Sequence, residues 1–114
     1  MSKRRIVVTG MGAVTPLGNS VHETWNAIRK GESGIDRISL FDASDYPVQI
    51  AAEVKNFLPE EHGIESREAR RMARFTQFLL SASYEAIRDA GLSKETLAAE
   101  RTGIMVGNGL SGFD

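Results

Sequence analysis

Met72, Phe75, Leu79, Ala82, Ala86 and Ala90 recur at three- and four-residue spacing, which predicts one long helix ended by Gly91. Around Phe78, Leu79 and Leu80 that helix is apolar on nearly every side. A helix with an apolar girdle has no face to give to water, so other elements have to cover it all round. In a chain of 114 residues this demand is hard to meet, because small folds bury the smallest share of their surface. The helix therefore predicts neighbours, for which the rest of the chain must be read.

Ile6, Val7, Val8 and Thr9 form a β-branched run bounded by Gly10, the pattern of a central strand buried on both faces. Residues 10–18 are a glycine-punctuated loop, and Ser20-x-x-Glu23 is a capping box that starts a helix running to about Lys30, with Gly31 as its stop. Residues 34–47 alternate turn formers with isolated apolar side chains, and residues 48–54 read as a second, weaker strand ending at Lys55-Asn56. After the long helix, Ser93 caps a short helical turn to about Glu100, and residues 102–106 read as a third strand entering a glycine-rich loop. Strands alternating with helices predict an α/β architecture with a mostly parallel sheet. Two clear strands and one weak one leave exposed edges, and a stop directly after a buried strand predicts the opening piece of a larger fold.

Composition excludes several functions. A formal net charge of -1 with 25% charged residues offers no footprint for nucleic acid or a membrane surface. No apolar run reaches the roughly eighteen residues of a membrane span, and Lys3, Arg4 and Arg5 lead into a strand rather than a signal-peptide core, so the cytoplasm is the expected location. With no cysteine, there is no disulfide, thiolate metal site or cysteine nucleophile within these residues. His22 and His62 lie far apart with no second ligand at metal-binding spacing, and both are expected at the surface. Glu60-Glu61 and the pair Asp42 and Asp45 fall in hydrophilic loops, where burial will not tune them for acid-base work.

Gly107-x-Gly109-x-x-Gly112 after a strand formally matches a dinucleotide-binding fingerprint. It lacks the acidic residue expected about twenty positions later and stands far from the first strand, so nucleotide binding is set aside. Gly10-Met11-Gly12 and Thr15-Pro16-Leu17-Gly18 read as structural turns. Arg67, Arg70, Arg71 and Arg74 fall within an arc of about 100° if they share one helix. Such a stripe is either a solvated face neutralised by Glu65 and Glu68 or a dock for an anionic partner, since guanidiniums grip carboxylates and phosphates bidentately.

The segments VVTGMGAVTPLG at 7–18, SGI at 33–35, FDAS at 41–44, REARRMARF at 67–75, DAGL at 89–92 and RTGIMVGNGLSG at 101–112 stand in one order along nearly the whole chain. Together they resemble the bacterial β-ketoacyl-[acyl-carrier-protein] synthases of type II fatty-acid synthesis. The resemblance implies a thiolase-like, layered α-β-α-β-α fold built from two similar halves, with residues 1–114 as the N-terminal portion of the first half. It implies decarboxylative condensation of malonyl-carrier protein with an acyl-enzyme, lengthening the chain by two carbons. A cysteine would carry the acyl group and two histidines would assist. Those family residues lie downstream of Asp114, so no catalytic residue transfers and the chain alone is expected to be inactive.

By the same resemblance, Arg67, Arg70 and Arg71 match a basic patch that receives the acyl carrier protein, and Gly109 and Leu110 match a loop lining the acyl pocket. Asn108 and Ser111 depart from the usual serine and glycine of that loop. No metal or organic cofactor is implied. The implied partners are acyl- and malonyl-loaded carrier protein and, for the complete enzyme, a second copy of itself. Two other readings stay open: a non-catalytic partner subunit of the chain-length-factor type, and a small carrier-protein-binding module.

Overall fold

The first helix, α1 (Val21–Lys30), forms where the sequence supplies both of its ends. Ser20 is extended and its Oγ accepts from the Glu23 amide at 3.1 Å, while the Glu23 carboxylate accepts from the Asn19 amide at 2.7 Å. Gly31 closes the other end at φ 71°, a left-handed conformation that costs a side-chain-bearing residue about 1 kcal/mol. The computed structural model describes residues 3–110. Beyond α1 these hold strands β1 (Ile35–Arg37) and β2 (Ile50–Ala52), a 3-10 turn (Pro59–His62), and helices α2 (Ser66–Ala69), α3 (Arg74–Asp89) and α4 (Lys94–Leu97). Ser111 and the last glycine of the Gly107-x-Gly109-x-x-Gly112 pattern lie outside the described residues.

The expected strand at 48–54 is present as β2, trimmed to three residues. Its partner β1 lies in the stretch read as turns, paired antiparallel with Ile35 opposite Ala52 and Arg37 opposite Ile50. Three residues are too few for an alternating pattern to register, and this explains why β1 is invisible in the sequence. Among the described residues the sheet is thus a two-stranded antiparallel hairpin, where a mostly parallel sheet was expected. Its long connection is tied by Glu53, whose carboxylate accepts from the Ser39 amide, the Leu40 amide and, at 2.7 Å, the Ser39 hydroxyl.

The two clearest sequence strands are not strands here. Residues 6–9 and 102–106 enter no ladder, and Ile6 and Met105 are 88% and 98% exposed. A β-branched apolar run records a site buried between layers, but a strand also needs a hydrogen-bonding neighbour, and none of the described residues supplies one.

The long helix is confirmed as α3, shifted inward by two residues at its start because Ala73 is extended at ψ 150°. Gly91 follows its end at φ 64°. One side of α3 carries Ala82, Ala86 and Ala90, and the glycine loop lies directly on them. A Cβ at Gly12 would stand 1.8 Å from the Ala82 carbonyl oxygen, and one at Gly10 2.2 Å from that of Ala86. Carboxylates of α3 secure this approach: Asp89 accepts from the Met11 amide at 3.0 Å, and Glu85 from the Ala13 and Val21 amides at 2.9 Å each. Glu85 thereby joins the loop, the start of α1 and α3 at one point.

A second apolar cluster positions α2. Phe57 is buried, meets Phe78 of α3 edge-on at 4.9 Å and stacks on His62 at 4.9 Å, and Ile64 and Ala69 are buried as well. His62 is therefore half-buried against a ring rather than free at the surface, as expected from sequence, whereas His22 is exposed beside Asn26. The apolar girdle of α3 is covered only in part, with Leu79 42% exposed. α4 is one turn capped by Ser93, which accepts from the Thr96 amide at 3.3 Å, and it stops short of the expected Glu100.

Candidate functional site

The arginines at 67–74 do not share one helix. α2 ends at Ala69, residues 70–73 form a tight break, and α3 begins at Arg74. The break follows from the backbone: Arg71 donates to the Glu68 carbonyl at 2.9 Å and Met72 to that of Ala69 at 3.1 Å, short-range bonds that overwind the chain until Ala73 leaves the helical region. The single 100° stripe expected from helical spacing is corrected accordingly.

The break sorts the four guanidiniums. Arg74 is engaged: its Nη2 donates to the Val54 carbonyl at 2.9 Å, and its guanidinium lies 5.0 Å over the Phe78 ring, so it fastens the segment that follows β2 to α3. Arg67, Arg70 and Arg71 are exposed, and no carboxylate among the described residues lies within ion-pair distance of them. Neither Glu65 nor Glu68 forms an ion pair with the group among the described residues. The Glu60 carboxyl is held below its ordinary value chiefly by the hydroxyl of Ser66, with a small contribution from Arg70. The three guanidiniums without an ion pair, Arg67 on α2 and Arg70 and Arg71 on the turn after it, form an exposed basic surface suited to carboxylates or phosphates.

Two residues missed by sequence reasoning hold that turn. Gln77 donates its side-chain amide to the Ala69 carbonyl at 2.9 Å and to the Met72 carbonyl at 3.2 Å, and Glu60 receives the hydroxyl of Ser66, the first residue of α2. Pro59, Glu60, Ser66, Ala69, Arg70 and Gln77 line a shallow cleft of about 390 Å³. The sequence signal for Gln77 was slight, one polar residue inside an apolar helical stretch.

Gly109 and Leu110 lie apart from this cluster in chain order, after the unpaired segment 102–106. A Cβ on Gly109 would meet nothing within 4 Å, and Leu110 is 88% exposed. Both residues thus face solvent in the isolated chain. A groove of about 930 Å³ is lined by Met11, Val21, His22, Trp25, Arg88 and the carboxylates of Glu85 and Asp89. No group of three metal-ligating side chains occurs among the described residues.

Residues 3–114 match the model of the β-ketoacyl synthase N-terminal domain. The chain is 46% identical over 111 residues to 3-oxoacyl-[acyl-carrier-protein] synthase 2 of Staphylococcus aureus strain COL, an alignment covering 97% of this chain and 27% of that protein. It is 41% identical over 113 residues to the protein of the same name from Synechocystis, covering 99% and 27%. Among solved structures it resembles the ishigamide ketosynthase/chain length factor, with a TM-score of 0.73, 33% identity, and coverage of 83% of this chain and 23% of that one. The chain spans about a quarter of the length of the curated relatives it matches.

Proposed function

The chain belongs to the β-ketoacyl synthase family, by its N-terminal domain, and on that premise we propose that it is the N-terminal portion of the first half of a thiolase-like condensing enzyme. The reaction is the decarboxylative condensation of malonyl-carrier protein with an acyl-enzyme, which adds two carbons to a growing fatty acid. The observation that carries this reading is the likeness, over nearly the whole chain, to proteins named 3-oxoacyl-[acyl-carrier-protein] synthase 2. In it, the cysteine that takes the acyl group and the two histidines that assist decarboxylation belong to the remainder of the enzyme, and residues 1–114 contribute scaffold, docking surface and pocket loop.

Arg67, Arg70 and Arg71 receive the acidic face of the acyl carrier protein. Their exposure and freedom from ion pairing support that role, since no internal partner has to be displaced on docking. Gly109 and Leu110 line the acyl pocket once residues 102–106 are drawn into the sheet, as are residues 6–9. The complete enzyme works in the cytoplasm as a homodimer. The test is direct: the full-length protein, given malonyl- and acyl-carrier protein, releases carbon dioxide and forms a β-ketoacyl product two carbons longer.

The structural likeness to a ketosynthase/chain length factor favours one second reading, a non-catalytic partner subunit with the same fold. That protein would form no product alone and would raise or redirect product formation only when mixed with an active ketosynthase.

A further inference from the structure

Two of the docking arginines, Arg70 and Arg71, sit on a turn that follows a single helical turn. α2 is four residues long, and a helix of that length is far below what stands alone in water. Residues 70–73 add only short-range backbone bonds. The Ala69 and Met72 carbonyls bracket Arg70 and Arg71, and one side chain reaches both: the amide nitrogen of Gln77, from the first turn of α3. A primary amide carries two N–H bonds in a fixed planar fork, so a single nitrogen satisfies two carbonyls at a set angle. Glutamate at this position would turn acceptor against acceptor, and a thioether would leave both carbonyls without this donor.

We propose that Gln77 is a positioning residue of the carrier-protein docking site: its amide fixes the α2–α3 turn and so aims the Arg70 and Arg71 guanidiniums at the partner. The inference rests on the docking role proposed above and names the group that sets the geometry of that surface. In this role Gln77 acts through the arginines and not on the carrier protein itself. The Glu60–Ser66 hydrogen bond and the buried Ala69 hold the start and one face of α2; at its exit, residues 70–73, the Gln77 side chain adds to the short-range backbone bonds.

The experiment is steady-state kinetics of the full-length protein with two acyl donors, acyl-carrier protein and acyl-pantetheine, a small thioester that bypasses the docking surface. Gln77→Met should raise KM for acyl-carrier protein about tenfold while changing that for acyl-pantetheine by less than about twofold. In an Arg70→Ala/Arg71→Ala background the same substitution should add less than about twofold, because the residues it aims are gone. Equal losses with both donors would reduce Gln77 to a structural residue, and a full additive loss in the arginine-free background would show that it does not act through them. If Gln77→Met fails to fold, Gln77→Glu keeps the length, removes the donors and meets the same criteria. The arginine double variant alone reports separately on docking: an unchanged KM for acyl-carrier protein would remove the docking role and this proposal with it.

Discussion

Gly12 stands where the first loop crosses α3, and no side chain fits there. With a Cβ placed 1.8 Å from the Ala82 carbonyl oxygen, a Gly12→Ala variant must lift the loop and strain the hydrogen bonds from Met11 to Asp89 and from Ala13 to Glu85. The cost should be about 2 kcal/mol or more, read as a lowered midpoint in thermal or denaturant unfolding. Gly31→Ala, where the added Cβ meets nothing within 4 Å but φ is 71°, should cost about 1 kcal/mol. Leu110 belongs to the same scale: in the role proposed for it, Leu110→Phe should suppress turnover of long acyl chains more than short ones, and a uniform loss across lengths would contradict that role. At this scale the sequence was legible wherever one residue type answers one backbone demand. Ser20, Glu23, Gly31 and Ser93 were read correctly because caps are local, and Gln77 was not, because its two carbonyl partners follow from the break at 70–73.

Among the elements, the β1–β2 hairpin depends on carboxylates. The Asp36 carboxyl is lowered first by its hydrogen bond to Lys55 and then by the Arg37 amide, and Glu53 first by the Ser39 hydroxyl. A carboxyl lowered on folding contributes stability above its unfolded value, lost as pH falls through the folded one. The hairpin's contribution should therefore be complete above the ordinary values of 3.8 for Asp36 and 4.5 for Glu53 and fade below them. Denaturant unfolding of Asp36→Asn and Glu53→Gln against the unaltered protein should give gaps at about pH 6 that close toward about pH 3; gaps that persist would contradict the assignment. The helices were legible because their periodicity spans several turns, while β1, at three residues, is shorter than any pattern. The arginine stripe was misplaced by one assumption, that residues 67–74 continue a single helix.

Over the whole molecule, the apolar pattern and the burial disagree, and the disagreement is informative. The radius of gyration is 17.2 Å, where a compact domain of this length has about 13 Å, and the described residues leave Ile6, Val8, Ile104 and Met105 in water. The sequence read these segments as strands buried between layers, which fits the layered fold of the family better than it fits the isolated chain. The groove along Trp25 and the half-covered face of α3 are of the same kind, apolar surface left open to solvent.

The claim on which the account turns is that Arg67, Arg70 and Arg71 receive a carrier protein. It is tested by titrating the full-length protein with acyl carrier protein at low salt, unaltered and with all three arginines replaced by glutamate. Binding should weaken at least about tenfold, chiefly through slower association, with the difference shrinking as salt screens the charges. Equal affinity for both proteins across the salt series would contradict it.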